Sequence, residues 1–262
     1  SVNQIQTLLT TNSRSRLHIS MKNNNSKILE EGLLELNLSM TDQQAAQFQY
    51  FAEELIIWNS KFNLTAINSM KDIYTLHFLD SISAIPSSST IISPNFSICD
   101  IGTGAGFPGI PIKILYPESK LTLIESSKKK CTFLQHITTE LQLTNVEIIS
   151  ERIEEVGQNP LFRESFDLVT ARAVSKISTL LEYGIPLIKL NGILLDYSKE
   201  DLITNHENLN QISHLLGGSP LNIHKINSSF LDNDKVVIKI QKLNRTENRY
   251  PRKNGIPSKR PL

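Results

Sequence analysis

The stretch DIGTGAGFPG, residues 100–109, follows the apolar run Phe96-Ser97-Ile98-Cys99 directly and places four glycines and a proline within ten positions. Glycine at that density marks a chain that turns sharply and lets another molecule approach its backbone. Gly102, Gly104 and Gly106 are spaced GxGxG. A dinucleotide-binding loop is spaced GxGxxG, and it offers a helix N-terminus of bare amides to a pyrophosphate. Here the next helix opens with Phe107 and Pro108, proline has no N–H, and Asp100 adds negative charge. The loop therefore suits a cationic or zwitterionic ligand.

Working outward, short apolar runs suited to buried strands recur at SICDI (97–101), LTLIE (121–125), VEII (146–149), FDLVTA (166–171) and GILLDY (192–197), with KVVIKI (235–240) late in the chain. Helix-like stretches at 108–116, 128–142 and 176–189 separate several of them. Strands joined by helical crossovers predict an α/β fold with a mainly parallel sheet and helices on both faces. In such sheets ligands sit beyond the carboxyl ends of the strands, where strand order reverses. Upstream, Thr41 is a candidate N-cap, and Phe48, Phe51, Leu55 and Trp58 recur every three or four residues, which predicts a helix over 41–62. A second helix is expected over 71–85, and the Ser/Pro-rich stretch 86–95 reads as a linker. The expected organisation is an extension at 1–29, an N-terminal helical part at 30–90, the main α/β domain at 91–243 and a basic tail at 244–262.

Of cationic ligands, S-adenosylmethionine fits best: its amino group and sulfonium favour a nearby carboxylate, and its amino-acid part can lie over a glycine turn. Glu125 ends the second strand 21 residues after Gly104, the place for an acid that accepts hydrogen bonds from ribose hydroxyls. Each piece has a plainer explanation. A glycine turn can be only a tight connection, and a strand-end glutamate can be only solvated.

The chain has 262 residues, 39% hydrophobic and 20% charged, as ordinary globular proteins have. No apolar run is long enough to span a bilayer. Cys99 and Cys131 stand far apart, which argues against a disulfide framework or a metal site and for a reducing, cytoplasmic setting. The net charge of +1 is uneven: residues 1–29 carry +4, residues 30–241 carry −9 and residues 242–262 carry +6. Basic ends on an acidic body suggest reach towards a polyanion, although such tails also serve solubility. Residues 1–20 are rich in Ser, Thr and Asn, with two Arg and no acid, as plastid or mitochondrial transit peptides are; Met21 is an alternative start.

Beyond the loop, WNSKFNLTAI (58–67), HFLDSI (77–82), CDIGTGAGFPGIPIKI (99–114), ERIEEV (151–156) and TARAVSKIS (170–178) occur in an order and spacing that resemble the bacterial small-subunit rRNA guanine-N7 methyltransferase family, RsmG or GidB. The tail YPRKNGIPSKRPL (250–262) resembles that family's carboxyl terminus, and the match covers about residues 30–262. The resemblance implies a Rossmann-like, class I S-adenosylmethionine-dependent methyltransferase domain preceded by helices. Its substrate would be 16S rRNA or a small-subunit precursor, its target a guanine of the decoding-region loop, and its state a monomer without metal. Carried over, cofactor contacts fall on Gly102, Phe107, Ile153, Glu154 and Arg172, to which the loop reading adds Asp100, Gly104, Gly106 and Glu125. Glu154 also reads as an exposed member of an acidic run.

His77 and Asp80, three apart, share a helix face. With Asn63 and Ser81 they form either a polar cluster facing the methyl-transfer cleft or a hydrogen-bonding knot between the N-terminal helices and the sheet. Arg172 ends a strand among apolar neighbours, where a charge is costly unless paired. Asn63, His77, Asp80 and Arg172 are thus the catalytic candidates. Candidate phosphate contacts are Arg245, Arg249, Arg252, Lys253, Lys259 and Arg260. Lys128, Lys129 and Lys130 read rather as the solvated first turn of a helix. Many members of the family it resembles carry a lysine-containing turn after the strand equivalent to GILLD; here Ser198 stands at that place and Lys199 lies one place on. A small-molecule methyltransferase, a binding protein without turnover and an NAD-dependent oxidoreductase are the competing readings.

Overall fold

A computed structural model describes residues 24–88, 93 and 95–262. Expectations for residues 1–20, and those for linker residues 89–92 and 94, fall outside the described residues.

Seven strands form one sheet: β1 (Ser97–Ile101), β2 (Lys120–Ile124), β3 (Val146–Ile149), β4 (Phe166–Arg172), β5 (Ile188–Lys199), β6 (Asn222–Lys225) and β7 (Lys235–Gln241). Their order is β3-β2-β1-β4-β5-β7-β6. All neighbours are parallel except β7, which runs antiparallel to β5 and β6. Strand order reverses between β1 and β4, so the glycine turn after β1 emerges at the switch point.

The strands obey a two-residue period. Ile98, Leu121, Leu123, Leu168, Ile193 and Leu195 face one apolar layer, and Cys99, Ile101, Ile124, Val169, Leu194 and Ile238 the other. Helices α1 (Asn24–Glu35), α2 (Asp42–Phe62) and α3 (residues 70–83) cover the first face with α4 (Gly109–Leu115) and α5 (Lys128–Glu140). The second is covered by α6 (Ile153–Gln158), α7 (Ile177–Gly184) and α8 (His206–Leu215), and a short α9 (Ile256–Lys259) packs on α7. Among the described residues no helix is long and apolar enough to cross a membrane.

Local chemistry sets the N-terminal layer. Thr41 and Gln44 form a reciprocal capping box on α2, each side chain accepting from the other's backbone N–H at 3.2 and 2.8 Å. The stripe of Phe48, Phe51 and Leu55 is fully buried, while Trp58 stacks on His136 at the rim. Helix α3 widens into a π-helical segment at Ile73–Leu79, flanked by α-helical turns. The boundary expected at residue 30 falls inside α1, and Leu29 is a core residue. The helix expected over 176–189 ends at Gly184, because β5 begins at Ile188, four residues before the glycine of GILLDY.

The basic tail does not hang free. Arg163 donates to the carbonyls of Tyr250, Thr246 and Glu247 at 2.6, 2.8 and 3.0 Å. Tyr250, Pro251 and Pro257 are buried against the second face. A tail rich in charge docks because its backbone carbonyls and its prolines find partners that its charges alone would not supply.

Candidate functional site

The turn after β1 is held by Asp100. Its carboxylate accepts from Thr103 Oγ1 at 2.6 Å, from the Gly109 N–H at 2.8 Å and from Thr170 Oγ1 at 3.1 Å. It is wholly buried, and burial lifts its carboxyl to about 6 against the pull of those donors. This corrects the expectation that Asp100 presents its charge to a ligand. The strand period points it at the start of α4, where it supplies the acceptor that the helix lacks, and it is not among the residues that line the cavity beside the turn.

Gly104 has φ +63°, a left-handed conformation that favours glycine. A β-carbon there would meet no protein atom nearer than Lys130 Nζ at 3.9 Å, so the space above its backbone is open. Its N–H donates to Glu125 Oε2 at 3.1 Å, while Glu125 Oε1 accepts from the Ser127 N–H at 2.8 Å. Gly106 is different: a β-carbon would strike Ile110 and Leu134, so it serves the packing of α4.

This loop forms one wall of a cavity of about 580 Å³. The same cavity is lined by a polar cluster that packs on Phe107 of the loop. Arg172, from the end of β4, donates through Nη1 to Asp80 Oδ2 at 2.9 Å and to the Leu76 carbonyl at 3.1 Å. Its Nη2 lies 2.9 Å from His77 Nδ1. Lys235, at the start of β7, donates to Asp80 Oδ1 at 2.6 Å. A guanidinium has only donors, so His77 Nδ1 must accept, and the ring proton sits on Nε2. From there it meets Thr65 Oγ1 at 2.8 Å. Burial, then the Arg172 and Lys235 charges, push the imidazole down to about 3, so His77 is neutral. The ring stacks on Phe107 with centroids 4.2 Å apart, and Phe107 stacks in turn on Phe51.

The candidates distribute as follows. His77, Asp80, Gly102, Gly104, Phe107 and Arg172 line the cavity together. Asn63 does not: it is the left-handed C-cap of α2 (φ 51°) and points to solvent. Two residues later Thr65 turns back to His77, so the cluster's member from that motif is the threonine. Ser81 turns its hydroxyl onto the His77 carbonyl, and its own carbonyl accepts from Tyr197. Glu154 is buried, not exposed, and accepts from the Gly255 N–H at 2.8 Å and from Tyr183 at 3.2 Å. Ile153 lies beside it in the first turn of α6, outside the cavity. Of the tail cations, Arg245, Arg249, Lys253, Lys259 and Arg260 are exposed. Arg252 forms a bidentate pair with the buried Glu182, at 2.9 and 2.6 Å. No tail residue lines the cavity, whereas Lys130 does and approaches Glu125 at 3.9 Å. Lys199 and Ser198 also line it, Lys199 paired with Asp234 at 2.8 Å.

Sequence reading missed Lys235, Thr65 and Tyr197. Lys235 opens a strand that periodicity marks clearly, but nothing in its neighbours shows that the sheet will carry it to Asp80. Among the described residues there is no group of three or more His, Cys, Asp or Glu that could hold a metal ion.

A seven-stranded sheet with one reversed strand, a glycine turn at its switch point and an adjoining polar cavity defines the S-adenosylmethionine-dependent methyltransferase class. Two solved methyltransferases share this fold. The CurJ carbon methyltransferase has a TM-score of 0.54 at 13% identity, covering 86% of this chain and 72% of that one. A putative methyltransferase bound to the Haloferax volcanii Trm112 activator has a TM-score of 0.51 at 10% identity, covering 73% and 98%.

Residues 44–233 match the GidB family, rRNA small subunit methyltransferase G, and the chain belongs to that family. The ribosomal RNA small subunit methyltransferase G of Dictyoglomus thermophilum is 43% identical over 92% of this chain and 99% of its own. That of Oceanobacillus iheyensis is 41% identical over 88% and 96%.

Proposed function

We propose that the chain methylates N7 of a guanine in the decoding-region loop of 16S rRNA, presented by the small ribosomal subunit or its precursor. That substrate sets the enzyme in the cytosol where bacterial small subunits are assembled. One observation carries this reading: the glycine turn and the Arg172 cluster line a single cavity.

The residues fit the cofactor. The bare backbone at Gly104 leaves room for its amino-acid part, and the Glu125 oxygens, each with a lone pair beyond its backbone bond, can accept from ribose hydroxyls. The Glu154 carboxylate is engaged by the tail, so the contact with adenine at Ile153–Glu154 runs through backbone. S-adenosylmethionine supplies a methyl group already activated on a sulfonium.

Guanine N7 has an in-plane lone pair and no proton to lose. No general base is required, and His77, neutral with both ring nitrogens engaged, is not one. Its part, with Arg172, Asp80 and Lys235, is to hold the cavity wall in one geometry so that nucleophile, methyl carbon and sulfur align. Arg245, Arg249, Lys253, Lys259 and Arg260, with Lys128 and Lys129, hold RNA phosphates and position the strand without reading it. Arg252 is left out of that set, because its guanidinium fixes the tail to Glu182.

Titration calorimetry with S-adenosylmethionine and NAD, followed by methyl transfer to small subunits lacking the mark, tests the reading. The expected result is binding of the former alone, and strand scission at one N7-methylguanine. NAD binding, or tight cofactor binding with no transfer to subunits at any stage of assembly, overturns it.

A further inference from the structure

A buried carboxylate near the site has no partner among the described residues. Asp196 lies on β5, in register with Ala171 of β4 and Ile238 of β7, on the sheet face opposite the Arg172 cluster. It is 7% exposed, yet among the described residues no hydrogen bond or ion pair reaches it. Burial alone sets its proton affinity and lifts the carboxyl to about 7. A buried acid without a donor is costly to a fold, and a position so placed calls for an explanation.

Asp196 forms part of the wall of a second cavity, about 600 Å³, between the starts of α7 and α8. That is a size typical of sites for small molecules and bases. Its rim is polar, with Ser175, Ser178, Thr204 and Asn208. The charged residues that line it with Asp196 are Lys176 and Asp201, both exposed and neither paired with Asp196. Ala173, Tyr197, Ser198 and Leu202 line both this cavity and the methyl-transfer cavity, so the two adjoin.

We propose that Asp196 is the residue that reads the target guanine, its two carboxylate oxygens accepting from the base's N1–H and 2-amino group. Guanine is the RNA base that presents a ring N–H and an amino group side by side, matching a carboxylate oxygen for oxygen. Adenine and cytosine put an acceptor next to their amino group, and uracil has a lone N–H between two carbonyls. N7 lies on the far side of the purine from this edge. A base gripped by Asp196 therefore leaves N7 free to face the adjoining cavity. The inference rests on the reading of the chain as a guanine-N7 methyltransferase, and it adds the residue that selects the base.

The test uses the whole protein saturated with S-adenosylhomocysteine. Guanosine and 7-deazaguanosine keep the recognised edge, inosine lacks the 2-amino group and adenosine lacks both donors. The expected result is binding of the first two at least roughly tenfold tighter than of the others. Binding also strengthens from pH 6 to pH 8, as the carboxyl ionises. Asp196→Asn, nearly isosteric, abolishes the preference and its pH dependence, leaves cofactor affinity unchanged and raises KM for unmethylated small subunits. Equal binding of guanosine and inosine, or detectable binding of neither, overturns the proposal without any substitution. Loss of cofactor affinity in Asp196→Asn, or wild-type kinetics in that variant, overturns it too. Failure of the wild type to methylate subunits sinks the parent reading instead, and leaves the nucleoside preference standing.

Discussion

Asp80 and Asp196 lie on opposite faces of the same sheet, near the carboxyl ends of β4 and β5, and both are nearly buried. Asp80 is met by a guanidinium and an ammonium, at 2.9 and 2.6 Å. Asp196 has no hydrogen bond or ion pair among the described residues, and it lines a cavity. The first carboxylate has its needs satisfied within the fold, so it builds a rigid wall. The second is left wanting a donor, so it marks a place where the molecule is incomplete by itself. Charge that is fully paired points to architecture, and buried charge left unpaired points to a ligand.

Several changes would break or sharpen that contrast. The largest effect is expected for Arg172→Met, which removes donors from Asp80, His77 and Leu76 together. Breaking a buried pair costs about 3–5 kcal/mol, and Lys235 still covers Asp80, so a loss of about 3 kcal/mol in denaturant unfolding is expected. Methyl transfer should fall with it. Lys235→Met leaves Arg172 in place and should cost about 2 kcal/mol by the same measurement, as the loss of a hydrogen bond to a charged group does.

Asp196→Asn should act in the opposite direction. A carboxyl raised from 3.8 to about 7 binds more protons folded than unfolded between those values. Stability through this group is therefore present at low pH and lost as pH rises from about 4 to about 7. Asp196→Asn should remove that loss and raise stability at pH 8 by about 1–2 kcal/mol. A destabilised variant would mean that Asp196 has a partner after all. His77 carries the reverse sign, because its depressed affinity favours the unfolded state below its ordinary range, so stability falls as pH drops from 6.5 towards 3. The smallest effect is expected for Thr65→Val, which leaves the His77 Nε2–H without an acceptor and should cost about 1 kcal/mol. A thermal melt paired with initial rates would separate its effect on the wall from its effect on turnover.

The same contrast shows what could be read in advance. Strand periodicity located β1, β2, β3, β4 and β7 to within a residue or so, because burial on both faces demands apolar runs. It missed β6 and α8, because β6 is short and at the sheet edge and α8 has polar residues over most of its surface. The tail's charges suggested a free arm, whereas the buried Tyr250 and Pro257 and the clamp of Arg163 decide that it docks.

The sequence by itself determined the glycine turn, the strand that precedes it, the layered α/β architecture and the family. These depend on local conformational demand and on a period of two or 3.6 residues, which the chain carries in its own order. Only the tertiary structure decided that Asp100 braces the turn instead of facing a ligand. It alone brought Lys235 to Asp80 across 155 residues, and it left Asp196 unpaired. Pairing depends on which atoms stand within about three ångströms, a distance between elements far apart in the chain that no local pattern encodes.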